Sequence, residues 1–95
     1  MKEVILKPST AKGKKYNAFI DNKKVSFGAE GYSDYTKHKD PERKKQYDAR
    51  HKPNENWNDL KTAGAWSKWL LWNKETLQES KKDMEQKFNI KIKIT

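Results

Sequence analysis

Cysteine is missing from the 95 residues, which excludes disulfides and thiolate metal sites and fits a reducing compartment. Long apolar runs are missing too. The densest cluster is Trp69-Leu70-Leu71-Trp72, too short for a signal peptide or a membrane span, so the reading is a soluble, non-secreted protein with no membrane partner. Apolar residues make up only 33% and mean hydropathy is -1.30, values that by themselves suggest disorder. Four Trp, four Tyr and three Phe oppose that, because disordered chains are poor in aromatics. Each large ring buries roughly 150–250 Å², so a few of them replace many aliphatic side chains in a small core. One thin-cored domain over residues 1–95 is expected, with homo-oligomer formation as one way to supplement the core.

Arginine is scarce: of 22 basic residues only Arg43 and Arg50 are not Lys. No nucleophile elbow, phosphate loop or metalloprotease motif is present, and the expectation is a protein that is not an enzyme and needs no cofactor or metal. The excess charge is +9. Residues 1–52 carry 14 basic and 7 acidic side chains, whereas residues 53–95 carry 8 and 6. A basic half attracts polyanions, and nucleic acid is the common one inside cells. Lysine is also the ordinary solubilising charge of a strand edge, so net charge alone does not distinguish a site from a solvated coat.

Most of the rarer residue types concentrate between Phe27 and Trp72: both His, both Arg, all four Trp and three of four Tyr. Before that stretch, Glu3–Lys7 reads as a strand. Tyr16–Asp21 and Lys23–Phe27 read as a hairpin around Asp21-Asn22, a pair that tolerates the left-handed backbone of a tight turn. Val25 and Phe27 alternate with Lys24 and Ser26, the mark of a half-buried strand, and Gly28 is expected to end it. Residues 29–39 show no period and read as irregular, with Tyr32 and Tyr35 on one side of a turn.

Asp40-Pro41 is a helix start, with Asp as N-cap, Pro in the first turn and Glu42 beside it. The helix runs to about Arg50 or His51 and stops before Pro53. Tyr47 and Ala49 are its only apolar candidates, so its neighbours cover it or it serves to present side chains. Arg43 and Arg50, seven apart, share a face. Arginine in a lysine-using chain suggests a need for the planar fork. One Arg is expected on a carboxylate such as Asp34 or Asp59, or on Trp57, and the other on a ligand. His38 and His51 bracket the helix, too far apart for one metal ion, and local capping outweighs ligation.

Trp57 sits in a loop and reads as an exposed ring. Thr62 caps a helix from Ala63 to Trp72, whose Trp66, Trp69 and Leu70 form a core stripe rather than a base-stacking shelf. Thr76 and Glu79 match a capping box opening a helix with Leu77, Met84 and Phe88 inward. Ile90, Ile92 and Ile94 alternate with Lys91 and Lys93 as a final strand, pairing with the N-terminal strand or the hairpin. The expected class is α+β: a small antiparallel sheet packed against about three short helices.

Phe27-Gly28-Ala29, Gly31 to Thr36, His38-Lys39-Asp40, Arg43-Lys44, Tyr47, Ala49-Arg50-His51, Trp57, Thr62-Ala63-Gly64, Trp66-Ser67 and Trp69 to Lys74 together resemble a family of small uncharacterised proteins of nucleocytoplasmic large DNA viruses and related environmental virus genomes. The likeness extends to Lys14-Lys15-Tyr16 and Asp21-Asn22-Lys23. Glu30, Lys68 and Glu75 depart from it where a lysine, an arginine and a proline are expected. It implies a viral setting, in the host cytoplasm or the virion, and no particular activity.

Two functions are expected. In the first, the chain is a basic viral accessory protein binding DNA or RNA with low sequence specificity through Lys37, Lys39, Arg43, Lys44 and Arg50, with Tyr32, Tyr35 or Trp57 stacking on bases. In the second, it is a structural or interaction component whose aromatic surface docks on viral structural or transcription proteins, or on another copy. A nuclease built on Asp34 and His38 is a distant third.

Overall fold

The computed structural model describes residues 2–10, 12–29 and 33–95. Four strands form one sheet: β1 (Lys2–Pro8), β2 (Lys14–Ile20), β3 (Lys23–Ala29) and β4 (Ile90–Ile94), in the order β3-β2-β1-β4. Helices α1 (Tyr35–His38), α2 (Pro41–His51), α3 (Ala63–Trp66) and α4 (Leu77–Phe88) complete an α+β architecture.

Local rules explain most of these boundaries. Asp21 and Asn22 both take positive φ, 50° and 64°, and Ile20 pairs with Lys23 across them, which is the two-residue turn whose twist suits a hairpin. Asp40, Thr62 and Thr76 each cap a helix through the side-chain oxygen. Thr76 Oγ1 also donates to Glu79 Oε1 at 3.0 Å.

The sheet is mixed rather than antiparallel throughout: β4 runs parallel to β1, with Lys2 opposite Ile90 and Leu6 opposite Ile94. The helix before it explains why. α4 carries the chain back to the end where β1 begins, and Asn89, at φ 53°, turns it sharply into the strand. A strand entering there can only run alongside β1 in the same direction. The exposed edge of β4 is partly sealed, since Ile92 N–H donates to Glu85 Oε2 of α4 at 2.9 Å.

Three further expectations are corrected. β3 continues through Gly28 to Ala29, with Gly28 at φ +79°. A side chain there would meet Leu71 Cδ1 at 3.0 Å and Lys15 Cβ at 3.1 Å, so glycine meets both the backbone and the space requirement. The stretch read as irregular holds the single-turn α1, because Asp34 accepts from Thr36 N–H and acts as an N-cap. The helix expected from Ala63 to Trp72 stops at Leu71, and its second half, Ser67–Leu71, winds as a π-helix closed by Trp72 N–H to Ser67 O at 3.1 Å. That wider turn admits both Leu70 and Leu71 to the core while Trp72 faces α2.

One face of the sheet carries Val4, Leu6, Ala18, Ile20, Val25, Phe27, Ile90 and Ile92 against Leu60, Ala65, Trp66, Leu70, Leu71 and Met84. Trp66 is fully buried, lies 5.6 Å from the Phe27 ring and donates its indole N–H to Leu60 O at 2.7 Å. The other face is open, with Phe19 39% exposed. Trp66→Ala is therefore expected to lower the unfolding free energy by roughly 3–5 kcal/mol in urea denaturation, whereas Phe19→Ala costs less than about 1 kcal/mol.

Candidate anion-binding cleft

Tyr47 is the one apolar side chain that α2 buries, and the attachment of the helix is organised around it. Its ring stacks on His51 at 4.2 Å and on Trp72 at 4.3 Å with a 5° interplanar angle. Its hydroxyl lies beside the Ser67 side chain. A second tie joins α2 to the π-helical turn: Lys68 Nζ reaches both Asp48 oxygens, at 2.9 and 3.0 Å. So a helix with almost no apolar face is held by one ring stack and one forked ion pair. Its remaining side chains point outward.

Arg43 and Arg50 are both exposed, and neither guanidinium has a hydrogen bond, ion pair or ring contact among the described residues. This corrects the expected structural role for one of them. Lysines hold those positions instead. Lys15 pairs with Asp34 at 2.6 Å, and Lys68 Nζ lies 5.1 Å from the Trp57 ring and 5.4 Å from the Trp69 ring. Asp59 is occupied by Lys61 N–H in its own turn.

Both arginines line a cleft of about 430 Å³. One wall is the end of the β2–β3 hairpin, with Lys14, Lys15 and Gly28. Another is the start of α3, with Ala63 and Gly64, and the π-helical turn adds Ser67 and Leu71. Its two carboxylates already have partners. Asp34, 2% exposed, accepts from Lys15 and from the Thr36 backbone and hydroxyl. Glu55 holds His51 Nδ1 at 2.9 Å and accepts from Trp57 Nε1 at 2.8 Å. It lies so close to Gly64 that a Cβ there would stand 2.7 Å from its Oε2. Arg43, Arg50 and Trp72 also border a second depression of about 520 Å³.

The structure therefore brings Arg43 and Arg50 together and separates them from the other expected site residues. Lys37 and Lys39 are exposed on and after α1 and do not line the cleft, although Lys37 borders a neighbouring depression that shares Lys14, Lys15, Asp34 and Leu71 with it. Lys44 lies 5.7 Å from the Tyr35 ring. Tyr35 is buried, so it offers no face for a base. Trp57 is half-buried with its indole N–H engaged by Glu55, which corrects the exposed-ring reading. Tyr32 lies outside the described residues. Lys14, His51 and Trp72 were missed. No sequence signal places the hairpin end beside α2, although Trp72 sits at the end of an apolar stripe where a ring can lie at the rim of a core.

The histidines act locally. His38 Nδ1 accepts from Asp40 N–H at 3.0 Å, and His51 holds Glu55. Of the candidate nuclease pair, Asp34 is held by Lys15 and Thr36, while His38 Nε2 is buried with no hydrogen-bond partner among the described residues. Among the described residues no three His, Asp or Glu gather as a metal site, and no helix is long and apolar enough to cross a membrane.

Burial pushes the Tyr47 phenol well above its ordinary value, helped by the Glu55 and Asp48 charges. Burial lowers the Lys68 ammonium, with Asp48 opposing the shift. For Tyr47 the folded state keeps a proton that the unfolded chain releases near pH 10. Its contribution is complete below that pH and is lost as pH rises above it.

A family model matches residues 4–51, from β1 to the end of α2, and its description is a family of unknown function (DUF5754). That stretch includes Lys14, Lys15, Arg43, Arg50 and His51, but not the opposite wall of the cleft. No curated protein and no solved structure matches the chain.

This geometry predicts two outcomes. Urea midpoints measured from pH 8 to 11 should fall more steeply for the natural chain than for Tyr47→Phe, by up to about 1.4 kcal/mol per pH unit above pH 10. Asp34→Ala removes both the partner of a nearly buried lysine and the cap of α1, and should cost roughly 3–5 kcal/mol in the same assay.

Proposed function

We propose that this chain, which belongs to the DUF5754 family of unknown function, is a small nucleic-acid-binding protein without catalytic activity that grips phosphate through Arg43 and Arg50. The observation that carries this reading is the pair of exposed guanidiniums, without a partner among the described residues, beside Lys14 in one concave, basic cleft. A chain that assigns lysine to its structural ion pairs and leaves its only two arginines exposed presents two planar forks matched to phosphate oxygens. Contacts to phosphate position a strand without reading its sequence, so binding is of low specificity. Lys37, Lys39 and Lys44 extend the positive field around the grip. Trp72 borders the cleft with its ring stacked on Tyr47 and tilted against His38, so the grip rests on phosphate and not on base stacking. In the large-DNA-virus setting implied by the sequence resemblance, such a protein would accompany viral DNA or RNA in the host cytoplasm or the virion.

A second reading rests on the open face of the sheet. On that face Phe19 is 39% exposed opposite Ile5. That surface suits a protein partner or another copy, with the lysines serving only as a solvated coat.

Anisotropy titrations with labelled single- and double-stranded oligonucleotides at several salt concentrations separate the two. The log–log salt slope should be steep, and Arg43→Ala/Arg50→Ala should reduce it by about 1.4 for single strands or about 1.8 for duplex, two phosphates at 0.7 or 0.9 each. A flat slope, or a variant that binds as well as the natural chain, would overturn the phosphate grip. A discrete oligomer that survives high salt would favour the second reading.

A further inference from the structure

Resting on the phosphate-binding reading of the same cleft, we propose that its ligand is a phosphomonoester. That means the phosphorylated end of a strand, or a free nucleoside monophosphate, rather than the internal phosphodiester of a continuous backbone. Charge is the first argument. Among the described residues the lining includes four Lys or Arg and two carboxylates, an excess of two positive charges before His51 is counted. A phosphomonoester carries about −1.5 to −2 at pH 7, with three terminal oxygens free to accept. An internal phosphodiester carries one charge and two free oxygens.

Geometry is the second. The cations rise from two separate elements, Lys14 from β2 and Arg43 and Arg50 from α2, and face the same cleft from different sides. The space, about 430 Å³, falls in the range of small-ligand pockets, about 300–1,000 Å³. A terminal phosphate can enter such a recess with a single ester arm leaving it, whereas an internal one must lead chain out on two sides.

Glu55 opposes that preference in part. Its carboxylate sits in the cleft wall, fixed by His51 and Trp57, and repels a dianion about twice as strongly as a monoanion. The two arginines and Lys14 must outweigh it, and its removal favours every phosphate, the phosphomonoester most.

The test uses one short oligonucleotide labelled at an internal base, prepared with a 5′-phosphate, with a 3′-phosphate and with hydroxyls at both ends. Adenosine and guanosine monophosphates serve as competitors and, separately, as direct ligands followed by tryptophan fluorescence. The phosphorylated strand should bind at least about tenfold more tightly than the hydroxyl strand, and Arg50→Ala or Lys14→Glu should remove that difference. Glu55→Gln should tighten binding of both strands and widen the gap between them. Equal affinity for all three strands overturns the phosphomonoester proposal and leaves the nucleic-acid reading standing. If no oligonucleotide binds but the monophosphates do, the pocket stands with a free mononucleotide as its ligand and the nucleic-acid reading falls. If neither binds, both fall.

Discussion

The cleft depends on the contact between Phe27 of β3 and Trp66 of α3. These two rings, continued by Tyr16 at 5.8 Å from Phe27, join the sheet to the helical layer. The chain has few aliphatic side chains to spend on that junction, and three aromatic rings supply area that many smaller residues would otherwise have to provide. Because the indole N–H of Trp66 also bonds Leu60 O, the ring is fixed in rotation as well as in depth. The start of α3 is thereby set over the end of the hairpin, and the gap left between them is the cleft.

α2 is attached to this frame by a different physics. It has one buried side chain, so hydrophobic burial contributes little. The stack His51–Tyr47–Trp72 and the forked pair Lys68–Asp48 hold it instead. Both contacts reach the end of the α3 segment, where the π-helical turn has displaced Trp72 toward α2. π-Turns inside helices recur near functional sites, and here the consequence is concrete: the widened turn sets the indole between two depressions that the arginines share.

Ion pairing in this molecule is selective. Lysines make the buried and half-buried pairs, Lys15 with Asp34 and Lys68 with Asp48, although a buried lysine is costly to desolvate. An arginine could have made either pair with a better-matched fork. That the two arginines are exposed on one helix, with no partner among the described residues, is the strongest asymmetry in its electrostatics. It is also the basis for reading the cleft as a place where an anion is received rather than as an accident of surface charge.

Some of this was decided within a few residues of chain. The Asp21-Asn22 turn follows from a backbone conformation those side chains tolerate. The starts of α2, α3 and α4 follow from Asp40, Thr62 and Thr76, each satisfying N–H groups two or three residues ahead. Alternation in β3 and β4 reports which face is wet. The shared face of Arg43 and Arg50 follows from their spacing. The α+β class was legible for these reasons, and so was the pairing of the two arginines. Tertiary structure alone decided the direction of β4, which depends on where α4 delivers the chain. It also decided that Lys15 reaches Asp34 and that Lys68 reaches Asp48, because partners 19 and 20 residues apart meet only once the sheet and helices have closed. The cleft belongs to this second kind. Its walls come from segments remote in sequence, so local periodicity and capping carry no record of it.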